Sequence, residues 1–236
     1  MKLRGLYYIT HIENLASILK YGILSHNEVL RRNLRYKAIY SEEIINKRQK
    51  KYIKDKPLGE FANLYFQPRN AMLYRIICGG IGVNDLVIVG IRPGILSRKD
   101  VYISDGNAAS DFTIFFSSNY KNYRKILKKI REEVNKDWWS DFDGSKRKLM
   151  AECLVPKYVS PEYISEIYVG TDIARENAKK IIKNKKIPVV LEPSLFFLPN
   201  REIEITKNLT IIEGDMFFSG MQTLTISVNT VGIMGK

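Results

Sequence analysis

The sequence predicts an α+β fold built on one mixed sheet. Three observations point there. Short apolar runs of strand length outnumber the amphipathic helical stretches between them. These runs end in Gly, Pro, Asn or Asp turn signals. At 236 residues, with 45% hydrophobic and 11% aromatic content, the chain can bury a sizeable core. That length suits one substantial domain with an appendage.

The elements follow in order. Residues 6–9 (Leu-Tyr-Tyr-Ile) read as a first strand ending at Thr10-His11. Residues 14–21 read as a helix, with Leu15, Ile18 and Leu19 on one stripe and Gly22 as its stop. A short extended piece spans 23–26, and 41–51 has helical character until Pro57-Leu58-Gly59. Residues 61–66 form a strand, 67–70 a turn and 71–76 a short helix. Residues 85–91 are a buried strand and 101–103 another, followed by a polar turn at 104–109. A charged helix over 119–136 buries Tyr123, Ile126, Leu127 and Ile130, and 137–147 reads as a polar loop. Strands at 150–155, 164–169 and 187–191 enclose a helix over 172–184.

From residue 203 the character changes. Residues 203–206, 209–215 and 224–232 are strand-like, and the last ends in a Gly-rich turn. The expected division is a domain over 1–200 and a separate fragment over 203–236.

Composition narrows the function. No run reaches the ~20 apolar residues of a membrane span. The N-terminus carries no signal segment, so cytoplasmic residence and no membrane partner are expected. With two Cys and two His, no zinc site is expected, and Cys78 and Cys153 read as small core residues. The net charge of +13 points to a polyanionic partner, or to basic solvated faces throughout. One cluster runs from Arg31 to Lys56, where ten cations face Glu42, Glu43 and Asp55; another runs from Lys121 to Lys148 and includes Trp138 and Trp139. Basic residues beside aromatics suit nucleic acid, since phosphates take the charge and bases the stacking.

No serine elbow, P-loop, HExxH or GxGxxG is present. The informative stretch is Met150-Ala151-Glu152-Cys153-Leu154-Val155. Alternation puts Ala151, Cys153 and Val155 on one face and Met150, Glu152 and Leu154 on the other. A carboxylate between apolar neighbours must be paired, be protonated or face a polar cleft; alternatively it sits on an edge and faces water. His11, Arg48, Asn63, Asn70, Asp105 and Asn107 also fall at strand ends or helix starts. Each has a plain alternative: His11 and Asn70 as helix caps, Asp105-Gly106-Asn107 as a turn, Arg48 as one more surface cation.

The ordered set Tyr8–His11 with Asn14-Leu15, Gly22–Asn27, Asn63–Tyr74, Asp105–Ala109 and Ala151–Pro156 resembles the DarT-like DNA ADP-ribosyltransferase toxins over roughly residues 5–192. That resemblance implies an ADP-ribosyltransferase (PARP-like) fold with a split central sheet and flanking helices. It implies NAD+ as co-substrate without a metal, and a base in single-stranded DNA as acceptor. Glu152 matches the family's catalytic glutamate and Arg48 its active-site arginine, with Lys47, Lys50 and Lys51 as rivals for the second role. His11 matches the nicotinamide-ribose histidine. Thr10, Asn14, Asn63, Asn70, Met72 and Asn107 are expected around the cofactor. Lys136, Trp138, Trp139, Lys146, Arg147 and Lys148 are expected to hold the DNA strand. Residues 23–27 and 63–66 look more like a guanine-modifying branch than a thymine-modifying one. The alternatives are a catalytically degenerate nucleic-acid-binding module, or a transferase acting on RNA or protein. The tail, through Leu209–Asp215 and Val228–Lys236, resembles the opening of a DarG-type macrodomain. This implies an antitoxin partner, fused or in trans, with Asp215 and Asn229 as its nucleotide contacts and no hydrolase activity from a fragment.

Overall fold

A computed structural model describes residues 5–136, 138–183, 186–214, 216 and 219. The first half of the chain contains β1 (Leu6–His11), α1 (Leu15–Tyr21), β2 (Ile23–Leu24), α2 (His26–Arg31), α3 (Glu42–Gln49), β3 (Tyr52–Ile53), β4 (Lys56–Pro57), β5 (Phe61–Tyr65), α4 (Ala71–Cys78) and β6 (Leu86–Ile91). The second contains β7 (Tyr102–Ser104), β8 (Phe115–Ser117), α5 (Tyr123–Val134), α6 (Ser145–Leu149), β9 (Glu152–Pro156), β10 (Tyr158–Val159), β11 (Ile164–Val169), α7 (Asp172–Ile182), β12 (Val189–Leu191), β13 (Arg201–Thr206) and β14 (Leu209–Glu213).

Eight strands form the main sheet in the order β12-β11-β6-β1-β5-β9-β7-β8. Among the described residues only β11 and β12 run parallel within it, joined through α7. The all-apolar β6 lies inside the sheet and is buried along its length, as a strand covered on both faces must be. Its period-2 alternation sends Val87, Val89 and Ile91 to one core and Leu86 and Ile88 to the other. The first core is closed by the apolar stripes of α1, α5 and α7. The second is closed by Leu73 and Ile76 of α4 and by Leu195, Phe196 and Phe197.

One feature of the register positions the site. β1 pairs with β6 at six residues but with β5 at one, Tyr7 opposite Tyr65. Beyond that pair the two strands part, and a cleft opens between them. Gly22 helps shape its far side: it ends α1 at φ +86°, and a Cβ there would run into the Val159 carbonyl that β10 brings across to β2.

Several expectations are corrected. Part of the predicted polar loop 137–147 folds into α6. The short extended piece at 23–26 forms β2, while β8, β10 and the pair β3/β4 carry too few residues for a pattern to register. Cys78 is exposed, because it falls off the Leu73–Ile76 stripe of α4. Cys153 is buried, and burial pushes its thiol well above the ordinary range. The first two tail strands form as the hairpin β13–β14, which among the described residues pairs only with itself. The third, with Asp215 and Asn229, lies outside the described residues. Among the described residues no helix is long and apolar enough to cross a membrane.

The tyrosines on β1 make stability sensitive to alkali. Burial, the main cause in both, pushes the Tyr7 and Tyr8 hydroxyls from 10.0 up to about 12. The unfolded chain therefore releases these protons first. Their contribution is complete below pH 10 and is lost as pH rises towards 12. Thermal melting across that range should show a falling midpoint, with a shallower fall in Tyr8→Phe; identical slopes would contradict the assignment.

Candidate active site

The cleft is lined by Tyr8 and Thr10 of β1, Phe61, Asn63 and Tyr65 of β5, Met72 of α4, and Tyr36, Tyr40 and Arg48 from the α2–α3 region. Glu152 begins β9 and stands opposite Tyr65 in the register. It is fully buried, and it lies on the face away from Ala151, Cys153 and Val155. Of the alternatives for this acid, the structure selects pairing. Arg48 Nη1 lies 3.1 Å from Oε2 and 3.4 Å from Oε1. The Ala108 amide donates to Oε1 at 2.8 Å. Oε2 thus retains a free lone pair.

Two elements far apart in sequence supply these partners. α3 carries Arg48 in its last turn, with its side chain only 16% exposed. The turn after β7 carries Ala108. Ser104, completely buried, accepts the Glu152 backbone N–H at 2.9 Å and hydrogen-bonds the Gly106 carbonyl at 2.6 Å. One hydroxyl therefore holds both the strand bearing the acid and the turn facing it. Lys51, just past α3, reaches the Ser110 carbonyl and ties helix and turn together.

The remaining expected residues divide into cleft wall and supports. Thr10, Asn14, Asn63, Met72 and Arg48 lie in the wall. Asn14 is occupied there: it donates to Thr10 Oγ1 and the Lys37 carbonyl and accepts from the Lys37 amide, pinning the 32–41 segment to the end of β1. His11 caps the turn after β1, its Nδ1 accepting from the Glu13 amide at 3.2 Å. That bond leaves the proton on Nε2, which makes Nε2 the donor. Asn70 and Asn107 make local supporting hydrogen bonds. Asn70 is wholly buried and caps α4 through the Met72 and Leu73 amides. Asn107 Oδ1 accepts from the Ala109 amide inside the turn, and its Nδ2 faces Met150.

The expected strand-binding residues are not among those that line the cleft. Trp139 packs edge-on against Tyr74 and Phe197, and Trp138 stacks on it at 4.9 Å while staying half exposed. Lys136 and Lys148 both approach Glu133, and Lys146 pairs with Asp141 at 2.7 Å. Arg147 turns inward, donating to Asp105 Oδ1 at 2.8 Å and to Thr113 Oγ1 at 3.2 Å.

Sequence reasoning missed Ser104, Ala108 and the tyrosine cluster. Tyr65 is buried beside the acid; burial first and the Glu152 charge second raise its hydroxyl far above the ordinary range. Tyr40 is raised likewise, chiefly by burial. Both hydroxyls are neutral donors at working pH. The signal available was one Tyr on each cleft strand, Tyr8 and Tyr65.

A buried carboxylate without its cation is costly. Arg48→Ala should lower the unfolding free energy near neutral pH by about 3 kcal/mol, and adding Glu152→Gln should restore most of it. Urea denaturation of both variants measures this coupling, and equal losses would refute it.

The family model described as "ssDNA thymidine ADP-ribosyltransferase, DarT" matches residues 7–197. A DNA ADP-ribosyl transferase–DNA ADP-ribosyl glycohydrolase fusion protein of Thermosipho africanus (strain H17ap60334) is 53% identical over 237 residues, covering 100% of this chain and 60% of the fusion. This chain thus spans about 60% of that relative's length. The solved structure of Thermosipho africanus DarTG in complex with ADP-ribose superposes with a TM-score of 0.89 at 52% identity, over 99% of this chain and 61% of the other. A more distant relative, DarT of Thermus sp. 2.9, is solved with ADP-ribosylated single-stranded DNA at 22% identity and a TM-score of 0.72, over 83% of this chain and 97% of the other. The same Thermus protein is solved with NAD+ at a TM-score of 0.68, over 83% and 98% of the two chains. The α+β architecture expected from the sequence is the ADP-ribosyltransferase fold of these structures. With its model matched across the main sheet and a relative above half identity along the whole chain, this protein belongs to the DarT family.

Proposed function

We propose that the chain transfers ADP-ribose from NAD+ to a base in single-stranded DNA, with Glu152 and Arg48 as its catalytic pair. The observation that carries this is the buried Arg48–Glu152 pair at a cleft opened by parted strands, in a member of the DarT family. The Thermus structures with NAD+ and with ADP-ribosylated DNA support the choice of donor and acceptor. The cleft also fits an anionic ligand: Arg48 Nη2 is buried with no hydrogen-bond partner. A buried guanidinium N–H left unpaired is expensive, and a diphosphate or ribose oxygen would satisfy it.

The reaction breaks the bond between nicotinamide and ribose C1′. Nicotinamide leaves with the bonding pair, positive charge develops on the ribose, and a nitrogen of the acceptor base forms the new bond to C1′. Glu152 stabilises the developing cation with a charge already held in place, and its free Oε2 lone pair takes the proton lost by the acceptor nitrogen. Arg48 fixes that carboxylate and directs its remaining donor at the dinucleotide. Thr10, His11 through Nε2–H, Asn63 and Met72 hold the nicotinamide-ribose end. The Trp138–Trp139 stack with Lys136, Lys146 and Lys148 takes the neighbouring nucleotides, because stacking and phosphate attraction are tolerant of sequence.

The acceptor base is guanine on the wording of residues 23–27 and 63–66, whereas the family model is named for thymidine. In the cell such a modification stalls replication, so the domain acts as a toxin. Residues 203–236 are read as the opening of a macrodomain, in keeping with the fusion relative matched over the full chain. Its antitoxin activity is then supplied by the fused remainder or in trans, and the enzyme works in the cytoplasm.

Labelled NAD+ offered separately to DNA, RNA and protein tests the reading. Label should enter single-stranded DNA, in oligonucleotides containing guanine and not in those with thymine alone. Glu152→Gln should reduce transfer by about 10²-fold or more. Label entering only RNA or protein would replace the acceptor. Salt-sensitive binding without NAD+ consumption would reduce the chain to a binding module.

A further inference from the structure

Arg147 lies in the basic stretch that suggests DNA binding, yet its guanidinium is turned into the protein. It bridges Asp105 and Thr113, the two ends of the turn whose middle holds Ala108. The same residue receives the Asn107 amide on its carbonyl oxygen at 2.9 Å. Thr113 in turn donates to the Asn107 carbonyl at 2.6 Å. Gly106 is pressed against this arrangement: a Cβ there would meet the Arg147 carbonyl oxygen at 2.9 Å. Two side-chain and two main-chain contacts therefore fix the turn on both sides of Ala108. The Ala108 amide is one of two groups holding the Glu152 carboxylate.

We propose that Arg147 is a positioning residue for Glu152, acting through Asp105, Thr113 and the Ala108 amide, and does not bind DNA phosphate. This rests on the transferase reading of the site. Arginine suits the task where lysine does not, because its planar fork meets both oxygens of Asp105, Nη1 at 2.8 Å and Nη2 at 3.5 Å, while Nη1 also reaches Thr113. A reacting carboxylate displaced by 1 Å can lose ~10²-fold in rate, so a clamp on its hydrogen-bond donor acts on turnover.

The test uses the full chain with Arg147→Lys and Asp105→Asn. Lysine keeps the positive charge, so a phosphate contact would survive it. Asparagine keeps the shape of Asp105 without its charge. Three quantities are measured: kcat and KM for NAD+ and for an oligonucleotide, oligonucleotide affinity against salt, and hydrogen exchange of the Ala108 amide by NMR. In both variants kcat should fall by about tenfold or more, while oligonucleotide KM and affinity stay within about twofold and the salt slope is unchanged. Ala108 exchange should quicken by about tenfold or more, with the amides of β6 as slow as in the parent. Weakened oligonucleotide binding with kcat retained, or Ala108 protection unchanged in both variants, would overturn the proposal. A parent chain that transfers no ADP-ribose would defeat the proposed function instead, and the exchange of Ala108 would still decide whether Arg147 holds the turn.

Discussion

A buried carboxylate must be matched by donors, and this fold is arranged to provide them. Glu152 sits on an inner strand of an eight-stranded sheet, where water cannot solvate it. Its partners come from a helix about a hundred residues earlier and a turn about forty residues earlier. Neither partner could reach it unless β5 and β9 were in register and β7 ran alongside them. The sheet topology thus follows from the same requirement as the chemistry.

The charge is held by layers of progressively less buried groups. Ser104, with no exposure at all, ties the Glu152 backbone to the turn. Arg147 and Asp105, about a quarter exposed, brace that turn from outside, and Lys51 links it to α3. Tyr65, buried beside the acid, is uncharged like any phenol near neutral pH, and burial raises its hydroxyl further, so it adds no negative charge there. A site held in this way needs little rearrangement as charge develops, which is how fixed dipoles and ion pairs accelerate reactions.

The aromatic and basic surface obeys a different constraint. Trp138 and Trp139 stack on each other, and Trp139 is anchored in the second core by Tyr74 and Phe197. Trp139 is packed from beneath and Trp138 is half exposed above it, the arrangement that the proposed stacking of bases would use. The lysines around it keep exposed side chains even where they pair, Lys136 with Glu133 at 3.1 Å and Lys146 with Asp141 at 2.7 Å, whereas Arg147 turns inward. Charge counted along a sequence therefore overstates the charge available to a polyanion.

The sequence by itself determined the fold class, the order of the long strands and helices, and the face on which Glu152 lies. Periodicity reports burial directly, and a strand such as β6 or a helix such as α7 writes its partner face into its own residues. The ordered motif set also pointed to Glu152 and His11, and to Arg48 with Lys47, Lys50 and Lys51 as its rivals. Only the tertiary structure decided that Arg48, and not Lys47, Lys50 or Lys51, meets the acid, since neighbours at the end of α3 and just past it differ in the direction they face. It likewise decided that Asn70 and Asn107 brace the site from behind, that Arg147 points inward and that Ala108 donates its amide. Backbone donors and two-residue strands leave no mark in composition or period, because their roles are set by what lies across the sheet from them.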